Sequence, residues 1–257
     1  MKNYIKNKTA LVTGATSGIG EQIAIDLAKM KVDLILLGRN EKKLHKLQKK
    51  LLKNSKCKVS IHVADVRDQN KINTLMKKLL KKHTINILVN SAGLALGVEK
   101  IDDGKVDNWD QMIDTNIKGL LYICKPIIAK MRALDRGHIV NIGSVAGKTA
   151  YPGGNVYCAT KAAVHSLGEA MNADLISTNI KVTTIAPGAV DTNFSKTRFD
   201  GDNSKANAVY NGYTPLYAKD ISTAIISTLN TPPHVNIQYL DIMPTAQRNP
   251  YLLCREN

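Results

Sequence analysis

The sequence TALVTGATSGIG at residues 9–20 runs from a short apolar segment into three glycines and then into a helical pattern. Glycine permits a tight turn, lets the backbone approach a pyrophosphate and allows a helix to pack closely on a strand. The helix N-terminus adds a positive electrostatic end that attracts an anion. The stretch therefore predicts a site for the phosphates of a dinucleotide, with contacts from Gly14, Thr16, Ser17, Gly18, Ile19 and Gly20.

Short apolar runs alternate with longer helical patterns along the 257 residues. Strands are predicted at Thr9–Thr13, Asp33–Leu37, Lys58–Val63, Asn86–Val89, His138–Ile142, Lys181–Ile185 and Asn236–Leu240. Helices are predicted at Ile19–Met30, Glu41–Lys53, Gln69–Lys82, Asp107–Leu134, Val156–Ser177 and Lys219–Leu229. Near-continuous apolar strands separated by helices indicate a parallel sheet covered on both faces.

The predicted fold class is α/β, with a doubly wound, seven-stranded parallel sheet and helices on both faces, because crossovers between parallel strands are right-handed. We expect a single-domain Rossmann fold over residues 1–257, since no linker or repeat marks a second domain. Residues 191–215 interrupt the alternation and are polar. They predict a substrate-loop excursion over the site, with a short helix near Lys205–Tyr210.

Charge and composition limit the partners. The net charge is +15, but the lysines flank apolar stripes on the helices at 41–53 and 69–82, without aromatic residues to stack on bases. We therefore expect no nucleic acid partner. No apolar run reaches the roughly 20 residues of a membrane span, so we expect no membrane partner. The four cysteines and six histidines show no metal-ligand spacing, which predicts reduced thiols, a cytoplasmic location and no metal.

The second predicted strand ends in LGRN at residues 37–40. An acidic residue there would bind the ribose 2′-hydroxyl of NAD, whereas a basic residue accepts the 2′-phosphate of NADP. Arg39 offers that phosphate a charge-assisted, bidentate partner, so we predict NADP. The competing interpretation is that Arg39 only starts an exposed helix.

Two further strand ends point to the same crevice, at residues 64–66 and at the NSAG turn of residues 90–93. Asp65 is expected to accept a hydrogen bond from the adenine amino group. Asn90 is expected to brace the turn whose small residues let the cofactor lie against the backbone. The cofactor contacts predicted here are Asp65, Val66, Asn90, Ala92 and Gly93.

Tyr157 and Lys161 stand four residues apart in a predicted helix, thirteen residues after Ser144. This spacing places the phenol and the ammonium on one helix face, close enough for the cation to favour the phenolate. The pair predicts proton transfer by the phenol.

These motifs together resemble the short-chain dehydrogenase/reductase superfamily along essentially the whole chain. The superfamily pattern is found here at Thr13–Gly20, Asn90–Gly93, Asn116, Ser144 and Tyr157–Lys161, followed by PGAVDT at residues 187–192. The resemblance implies an enzyme that acts on CH–OH groups with a nicotinamide cofactor. It adds cofactor contacts from Tyr157, Lys161, Pro187, Gly188, Val190 and Thr192.

The resemblance also implies the catalytic residues Asn116, Ser144, Tyr157 and Lys161. Tyr157 would exchange a proton with the substrate oxygen, and Lys161 would hold the nicotinamide ribose and lower the pKa of the phenol. Ser144 would donate a hydrogen bond to the reacting oxygen. Asn116 would hold a water that links Lys161 to solvent.

A closer resemblance lies in residues 151–161, 191–199 and 242–247, which are similar to NADP-dependent 3-hydroxy acid dehydrogenases. It implies oxidation of short 3-hydroxy acids such as serine and allo-threonine. Substrate contacts would come from Ser144 and Tyr157, with Arg198 and then Lys148 as candidates for binding the carboxylate.

The alternative function is that of a broad NADPH-dependent reductase of ketones and aldehydes. In that case the excursion would form an apolar pocket through Phe194, Phe199 and Tyr213.

Assembly is suggested by the long predicted helix at 107–134. Its apolar residues cover more than one helical face, namely Ile113, Ile117, Leu120, Leu121, Ile127 and Ile128. Similarity to the superfamily implies a homotetramer, and a dimer is the alternative.

Overall fold

A computed structural model of the chain describes residues 3–256 and gives a seven-stranded parallel sheet. The strands are β1 Thr9–Thr13, β2 Asp33–Gly38, β3 Val59–Val63, β4 Ile87–Asn90, β5 Gly137–Ile142, β6 Ile180–Pro187, β7 Val190–Asp191, β8 Leu216–Tyr217 and β9 Tyr239–Ile242. The helices are α1 Gly18–Lys29, α2 Glu41–Asn54, α3 Gln69–Lys82, α4 Val106–Ile113, α5 Gly119–Ala133, α6 Asn155–Asp174, α7 Asn193–Arg198, α8 Asn203–Ala208 and α9 Ala218–Leu229.

The main sheet has the order β3-β2-β1-β4-β5-β6-β9, and every neighbouring pair is parallel. The order reverses between β1 and β4, which makes the sheet doubly wound. β7 and β8 form a separate two-stranded parallel ribbon. The predicted fold class and the seven-stranded parallel sheet are confirmed.

Two apolar layers cover the faces of the sheet. One layer packs α1, α2 and α9 through residues such as Ile23, Leu44 and Ile225. The other packs α3, α5 and α6, and includes Met76 and Ile127. Because the sheet is buried on both sides, its central strands are apolar at nearly every position rather than at alternate ones.

The long helix predicted at 107–134 is interrupted by a wider π-helical turn at Asp114–Lys118, which separates α4 from α5. Such a turn carries one residue more than an α-helical turn and often occurs at functional sites. The uniform apolar pattern on both sides gave no sign of the extra residue. Asn116 lies within this turn and is buried.

The last strand was predicted at Asn236–Leu240, but β9 covers Tyr239–Ile242. Its pairing with β6 begins where Thr184 lies opposite Tyr239. The Gln238 carbonyl still accepts from Thr184 N at 2.9 Å, but the Asn236 side chain donates to Asn172 Oδ1 at 2.9 Å. The alternating composition of this segment fits either register, so tertiary pairing decides.

Residues 191–215 contain two short helices, α7 and α8. The helix predicted near Lys205–Tyr210 lies at Asn203–Ala208, where the Asp202 side chain accepts from Lys205 N. The helix α7 was not predicted; it begins after Thr192, whose hydroxyl oxygen accepts a hydrogen bond from Phe194 N at 3.2 Å. Within residues 3–256, no helix combines the length and the apolar character that crossing a membrane requires.

Candidate active site

A cleft opens at the carboxyl ends of β1, β2, β4, β5 and β6, at the place where the strand order reverses. Open α/β sheets bind ligands at such a reversal. Most of the predicted cofactor residues line it, namely Gly14, Thr16, Ser17, Gly18, Ile19, Arg39, Asp65, Val66, Ala92, Gly93, Tyr157, Lys161, Pro187, Gly188, Val190 and Thr192. Strands far apart in the sequence therefore deliver their terminal residues to one surface.

The floor of the cleft is bare backbone. Gly14 has a φ of 63°, which favours glycine, and a Cβ atom there would lie 2.9 Å from the main chain of Ala92. A Cβ on Gly20 would lie 2.4 Å from the carbonyl oxygen of Gly14. α1 starts at Gly18 with no side chain capping its first N–H groups. A glycine cradle below an uncapped helix N-terminus fits the pyrophosphate of a dinucleotide.

Two predicted cofactor residues, Gly20 and Asn90, do not line the cleft. Gly20 permits the close approach to Gly14, whereas the buried Asn90 amide donates to Cys124 Sγ at 3.1 Å and to Asn141 Oδ1 at 2.8 Å. The turn after β4 is braced instead by Thr13, whose hydroxyl oxygen accepts from Ser91 N at 3.1 Å and Ala92 N at 3.0 Å. Thr13 and Ser91 are 78 residues apart in the sequence, so no local pattern indicates this contact.

Arg39 reaches the cleft from the end of β2, and its side chain is 62% exposed. Its Nη1 lies 3.9 Å from Asp65 Oδ2, so the guanidinium is held loosely and remains available to an anion. Asp65 itself is bound by Arg67, whose Nη2 donates to Oδ2 at 2.7 Å. Burial would raise the pKa of Asp65, but the hydrogen bonds and charge of Arg67 lower it below its ordinary value.

Asn116 is fully engaged by its neighbours. Its Oδ1 accepts from Leu94 N at 2.9 Å, while its Nδ2 donates to Leu94 O at 2.9 Å and to Thr160 Oγ1 at 3.0 Å. The π-helical turn is what carries this side chain to the loop after β4. Asn116 thereby joins that loop to α6, the helix of Tyr157 and Lys161.

Tyr157, Ser144 and Lys161 meet at one end of the cleft. The Lys161 ammonium lies 5.9 Å from the centre of the Tyr157 ring and donates to the carbonyl oxygen of Ile142 at 2.8 Å. A Cβ on Gly93 would lie 3.4 Å from Lys161 Nζ, so the glycine leaves room for the ammonium. The predicted catalytic residues are therefore neighbours in space.

Burial sets the ionisation of this group. It raises the pKa of Tyr157 well above its ordinary value, while the adjacent Ser144 hydroxyl and the charge of Arg198 act in the opposite direction. Burial also lowers the pKa of Lys161 to about 8. In the protein alone, desolvation outweighs these two effects, and the lowering of the phenol pKa stays a prediction for the site with its nicotinamide bound.

The two candidates for the substrate carboxylate lie in different places. Arg198 ends α7, and its guanidinium carbon is 5.9 Å from the centre of the Tyr157 ring. Lys148 instead pairs with Asp241, and its ammonium lies 4.3 Å from the centre of the Tyr239 ring. Neither residue lines the cleft itself, so nearness to Tyr157 is what separates them. The geometry favours Arg198.

Arg198 also fastens α7 over the cleft. Its Nε donates to Gly97 O at 3.2 Å, Nη1 to the Tyr151 hydroxyl at 2.6 Å and Nη2 to Gly153 O at 3.2 Å. The main chain adds a bond from Gly97 N to Arg198 O at 3.0 Å. One side chain therefore joins the end of α7 to two loops near Tyr157, the one after β4 and the one before α6.

Several wall residues were not predicted as cofactor or substrate contacts. They are Leu37, Gly38, Ala64, Ser91, Leu94, Thr115, Ile142, Gly143, Asn193, Phe194 and Thr197. Phe194 packs its ring 5.6 Å from that of Tyr157, whereas Phe199 and Tyr213, its partners in the predicted apolar pocket, do not line the cleft. Position next to a predicted site residue is the signal that would have found most of them.

Comparison with known proteins agrees with this geometry. The family profile described as short chain dehydrogenase matches residues 8–203. NADP-dependent 3-hydroxy acid dehydrogenase YdfG of Salmonella typhi is 42% identical over 239 residues, covering 92% of this chain and 95% of that protein. Sulfoacetaldehyde reductase 2 of Chromohalobacter salexigens is 39% identical, covering 92% of this chain and 94% of that protein.

Solved structures give the same result. The closed form of serine dehydrogenase complexed with NADP+ matches with a TM-score of 0.90 at 39% identity, covering 97% of this chain and 100% of that one. Serine dehydrogenase from Escherichia coli matches with a TM-score of 0.81 at 37% identity, covering 93% of this chain and 99% of that one. Taken with the cleft and its Ser144, Tyr157 and Lys161, these similarities show that the chain belongs to the short-chain dehydrogenase family.

Proposed function

We propose that this protein is an NADP-dependent oxidoreductase that oxidises the hydroxyl group of short 3-hydroxy acids of the serine and allo-threonine type. The observation that carries the proposal is that Tyr157 has the Ser144 hydroxyl beside its phenol in the cleft and the Arg198 guanidinium carbon 5.9 Å from its ring centre. A small anionic alcohol needs this combination of a proton acceptor beside a fixed cation. Relatives named for NADP-dependent 3-hydroxy acid dehydrogenation support the same activity.

NADP, when bound, takes up the hydride from the substrate carbon. The glycine cradle of residues 14–20 would hold its pyrophosphate, and Arg39 its 2′-phosphate. Asp65 and Val66 would contact the adenine. The remaining contacts would come from Ala92, Gly93, Tyr157, Lys161, Pro187, Gly188, Val190 and Thr192.

Tyr157 exchanges the proton with the substrate oxygen. Because burial raises its pKa, the phenol is protonated at neutral pH, which suits donation to a carbonyl. In the oxidising direction the phenol must first lose its proton, and the positive charge of Arg198 favours that ionisation. Lys161 keeps its ammonium beside this phenol through the hydrogen bond to Ile142.

Ser144 and Asn116 support the proton transfer. The Ser144 oxygen accepts from Ala146 N at 3.2 Å, which leaves its O–H free to donate to the reacting oxygen. The Asn116 side chain is occupied by Leu94 and Thr160. We therefore assign the relay water near Lys161 to the main chain of the π-helical turn rather than to the Asn116 amide.

Arg198 is the proposed receptor for the substrate carboxylate. A guanidinium has five N–H donors, and three hydrogen bonds are made to Gly97, Tyr151 and Gly153, so two donors remain. A 3-hydroxy acid has one carbon between its reacting carbon and its anionic group. Sulfoacetaldehyde has the same spacing to its sulfonate, so a cation at this distance from Tyr157 suits the substrates named for both kinds of relative.

A substrate panel with both cofactors tests the proposal. NADPH formation is expected with serine and allo-threonine, much less with their methyl esters, and little with NAD. Simple ketones and aldehydes without an anionic group are the controls. Turnover of those carbonyls in preference to the hydroxy acids would overturn the proposal in favour of a broad carbonyl reductase.

We further propose a homotetramer in the cytoplasm. Apolar side chains remain exposed on and near α4 and α5, with Val106 at 61% and Leu121 at 38%, and a partner subunit would cover them. The reducing cytoplasm would keep Cys57, Cys124, Cys158 and Cys254 as thiols. Sedimentation at micromolar concentration is expected to give a mass four times that of the chain; a monomer would contradict the assembly.

A further inference from the structure

Ser144 follows the last residues of β5, where the sheet no longer supplies a partner for its main chain. The preceding residue, Gly143, still donates its N–H to Ile185 O of β6 at 2.7 Å. The Ser144 N–H instead donates to His165 Nε2 at 3.3 Å. The imidazole nitrogen thus accepts the main-chain hydrogen bond that a neighbouring strand would otherwise accept from Ser144.

The chain makes room for this ring at two glycines. A Cβ on Gly143 would lie 2.5 Å from His165 Nε2, and one on Gly147 would lie 2.6 Å from its Cε1. Neither glycine has a left-handed φ, so each is suited to the lack of a side chain rather than to an unusual backbone. His165 is therefore inserted into the turn that begins at Ser144.

Tyr239 of β9 supports the imidazole from the other side. Its ring meets that of His165 edge to face at 5.1 Å, and its hydroxyl lies 3.3 Å from Nδ1 and 3.4 Å from Nε2. Asp241 and Lys148 pair beside this tyrosine. Burial and the charges of Lys161 and Lys148 lower the pKa of His165 to about 4, so the ring is neutral near pH 7. The bond from Ser144 N then assigns the ring proton to Nδ1, which faces the Tyr239 hydroxyl, and leaves Nε2 as the acceptor.

We propose that His165, supported by Tyr239, is a positioning residue that fixes Ser144 so that its hydroxyl faces Tyr157 and the reacting oxygen. This inference rests on the catalytic role proposed for Ser144. His165 itself touches neither cofactor nor substrate, since it does not line the cleft. Replacing His165 should therefore change turnover only by changing the position of the Ser144 hydroxyl.

A double-mutant cycle tests this dependence. His165→Leu removes the acceptor, whereas His165→Gln keeps an acceptor oxygen near the position of Nε2. With Ser144 present, His165→Leu is expected to lower kcat about tenfold and His165→Gln to recover most of that loss. With Ser144→Ala, His165→Leu is expected to change kcat by less than about twofold. An equal loss in both backgrounds would overturn the proposal.

His138→Leu is the matched control. His138 is an equally buried histidine at the start of β5, with Nε2 2.8 Å from Thr183 Oγ1 and no contact with the Ser144 turn. Its effect on kcat should be the same with and without Ser144. NADPH affinity, measured by fluorescence, identifies variants that fail to fold. If the His165→Leu variant does not fold, Tyr239→Phe takes its place in the double-mutant cycle. A Tyr239→Phe effect on kcat that is the same with Ser144 and with Ser144→Ala would then overturn the proposal.

A second measurement requires no substrate. Exchange of the Ser144 amide hydrogen, followed by NMR, should be faster in His165→Leu than in His165→Gln, and equal rates would contradict the hydrogen bond. The cycle uses whichever substrate the wild-type enzyme prefers. A preference for carbonyls without an anionic group therefore overturns the proposed function alone, whereas an unchanged Ser144 amide overturns only the positioning role.

Discussion

The Lys161 ammonium donates a hydrogen bond to the main-chain carbonyl oxygen of Ile142 at 2.8 Å. This bond joins α6 to the end of β5, two residues before Ser144. It also holds a buried cation beside Gly93, at the place where β4 enters the cleft. The end of β5 therefore fixes the position of both Ser144, which follows it, and α6, the helix that carries Tyr157.

Replacing Tyr157 with Phe should lower kcat by about 10³-fold, because the ring remains but the exchangeable proton is lost. The Kd for NADPH should change little, since the packing against Phe194 is kept. Steady-state kinetics and fluorescence titration measure the two quantities. Turnover at near wild-type rates in this variant would exclude the phenol as the proton donor.

Replacing Arg39 with Asp should lower kcat/KM for NADP by about 100-fold, because a charge-assisted partner of the 2′-phosphate becomes a repelling carboxylate. The kcat/KM for NAD should stay unchanged or increase in the same variant. Lys42→Asp makes the same charge change on α2 at an exposed residue that does not line the cleft. If both variants change the ratio of kcat/KM for NADP to kcat/KM for NAD equally, the change arises from the overall charge of the protein and not from phosphate binding by Arg39.

Replacing Arg198 with Met should raise KM for serine by about 100-fold, because the carboxylate loses a charged partner. Tyr151→Phe removes one bond that fastens the same guanidinium but leaves its charge, so a smaller increase is expected. Both variants should treat a serine methyl ester alike. An Arg198→Met enzyme with an unchanged KM for serine would restrict the arginine to holding α7 in place.

Replacing Asp26 with Asn should lower the free energy of unfolding at pH 7 by about 2 kcal/mol. The buried carboxylate accepts from Ser222 Oγ at 2.7 Å and lies 2.9 Å from the Lys219 ammonium, which joins α1 to α9. Denaturant titration of both proteins measures the difference. Asp102→Asn, at an exposed carboxylate, should have little effect.

The Asp26 effect should depend on pH in one direction. Burial acts to raise its pKa, but hydrogen bonds from Gln22, Ser222, Lys219 and Lys29 lower it well below the ordinary value. Its contribution is therefore complete above the pKa of the unfolded chain and disappears as the pH falls through that of the folded one. The gap between wild type and Asp26→Asn should narrow below about pH 4. A difference in unfolding free energy that stays constant with pH would mean that the shape of the Asp26 side chain, and not its charge, stabilises the fold.

The sheet, its topology and most of the cleft could be predicted from sequence because each depends on local patterns. Apolar runs define the strands, and parallel connections bring their carboxyl ends together. The last strand was misplaced because Tyr239 owes its position to pairing with Thr184, a contact 55 residues away in the chain. Local composition does not indicate pairing between residues this far apart in the sequence.

The ionisation of the site and its supporting contacts could not be predicted. Spacing indicated that Lys161 lies near Tyr157, but the pKa of the phenol depends on how much water the folded chain excludes. Nothing local in the sequence indicates that the His165 imidazole meets the Ser144 main chain. Arg198 was found by motif, whereas its three protein partners depend on loop geometry.

The π-helical turn at Asp114–Lys118 restricts how this protein can change in length. Each residue of an α-helix turns the chain by about 100°, so deleting one residue here would rotate α5 relative to α4 by that angle. Ile123 and Ile127 would leave the core, or Asn116 would lose Leu94. Insertions and deletions that surface loops tolerate are therefore excluded from this helix, and related chains should keep its residue count even where its sequence diverges.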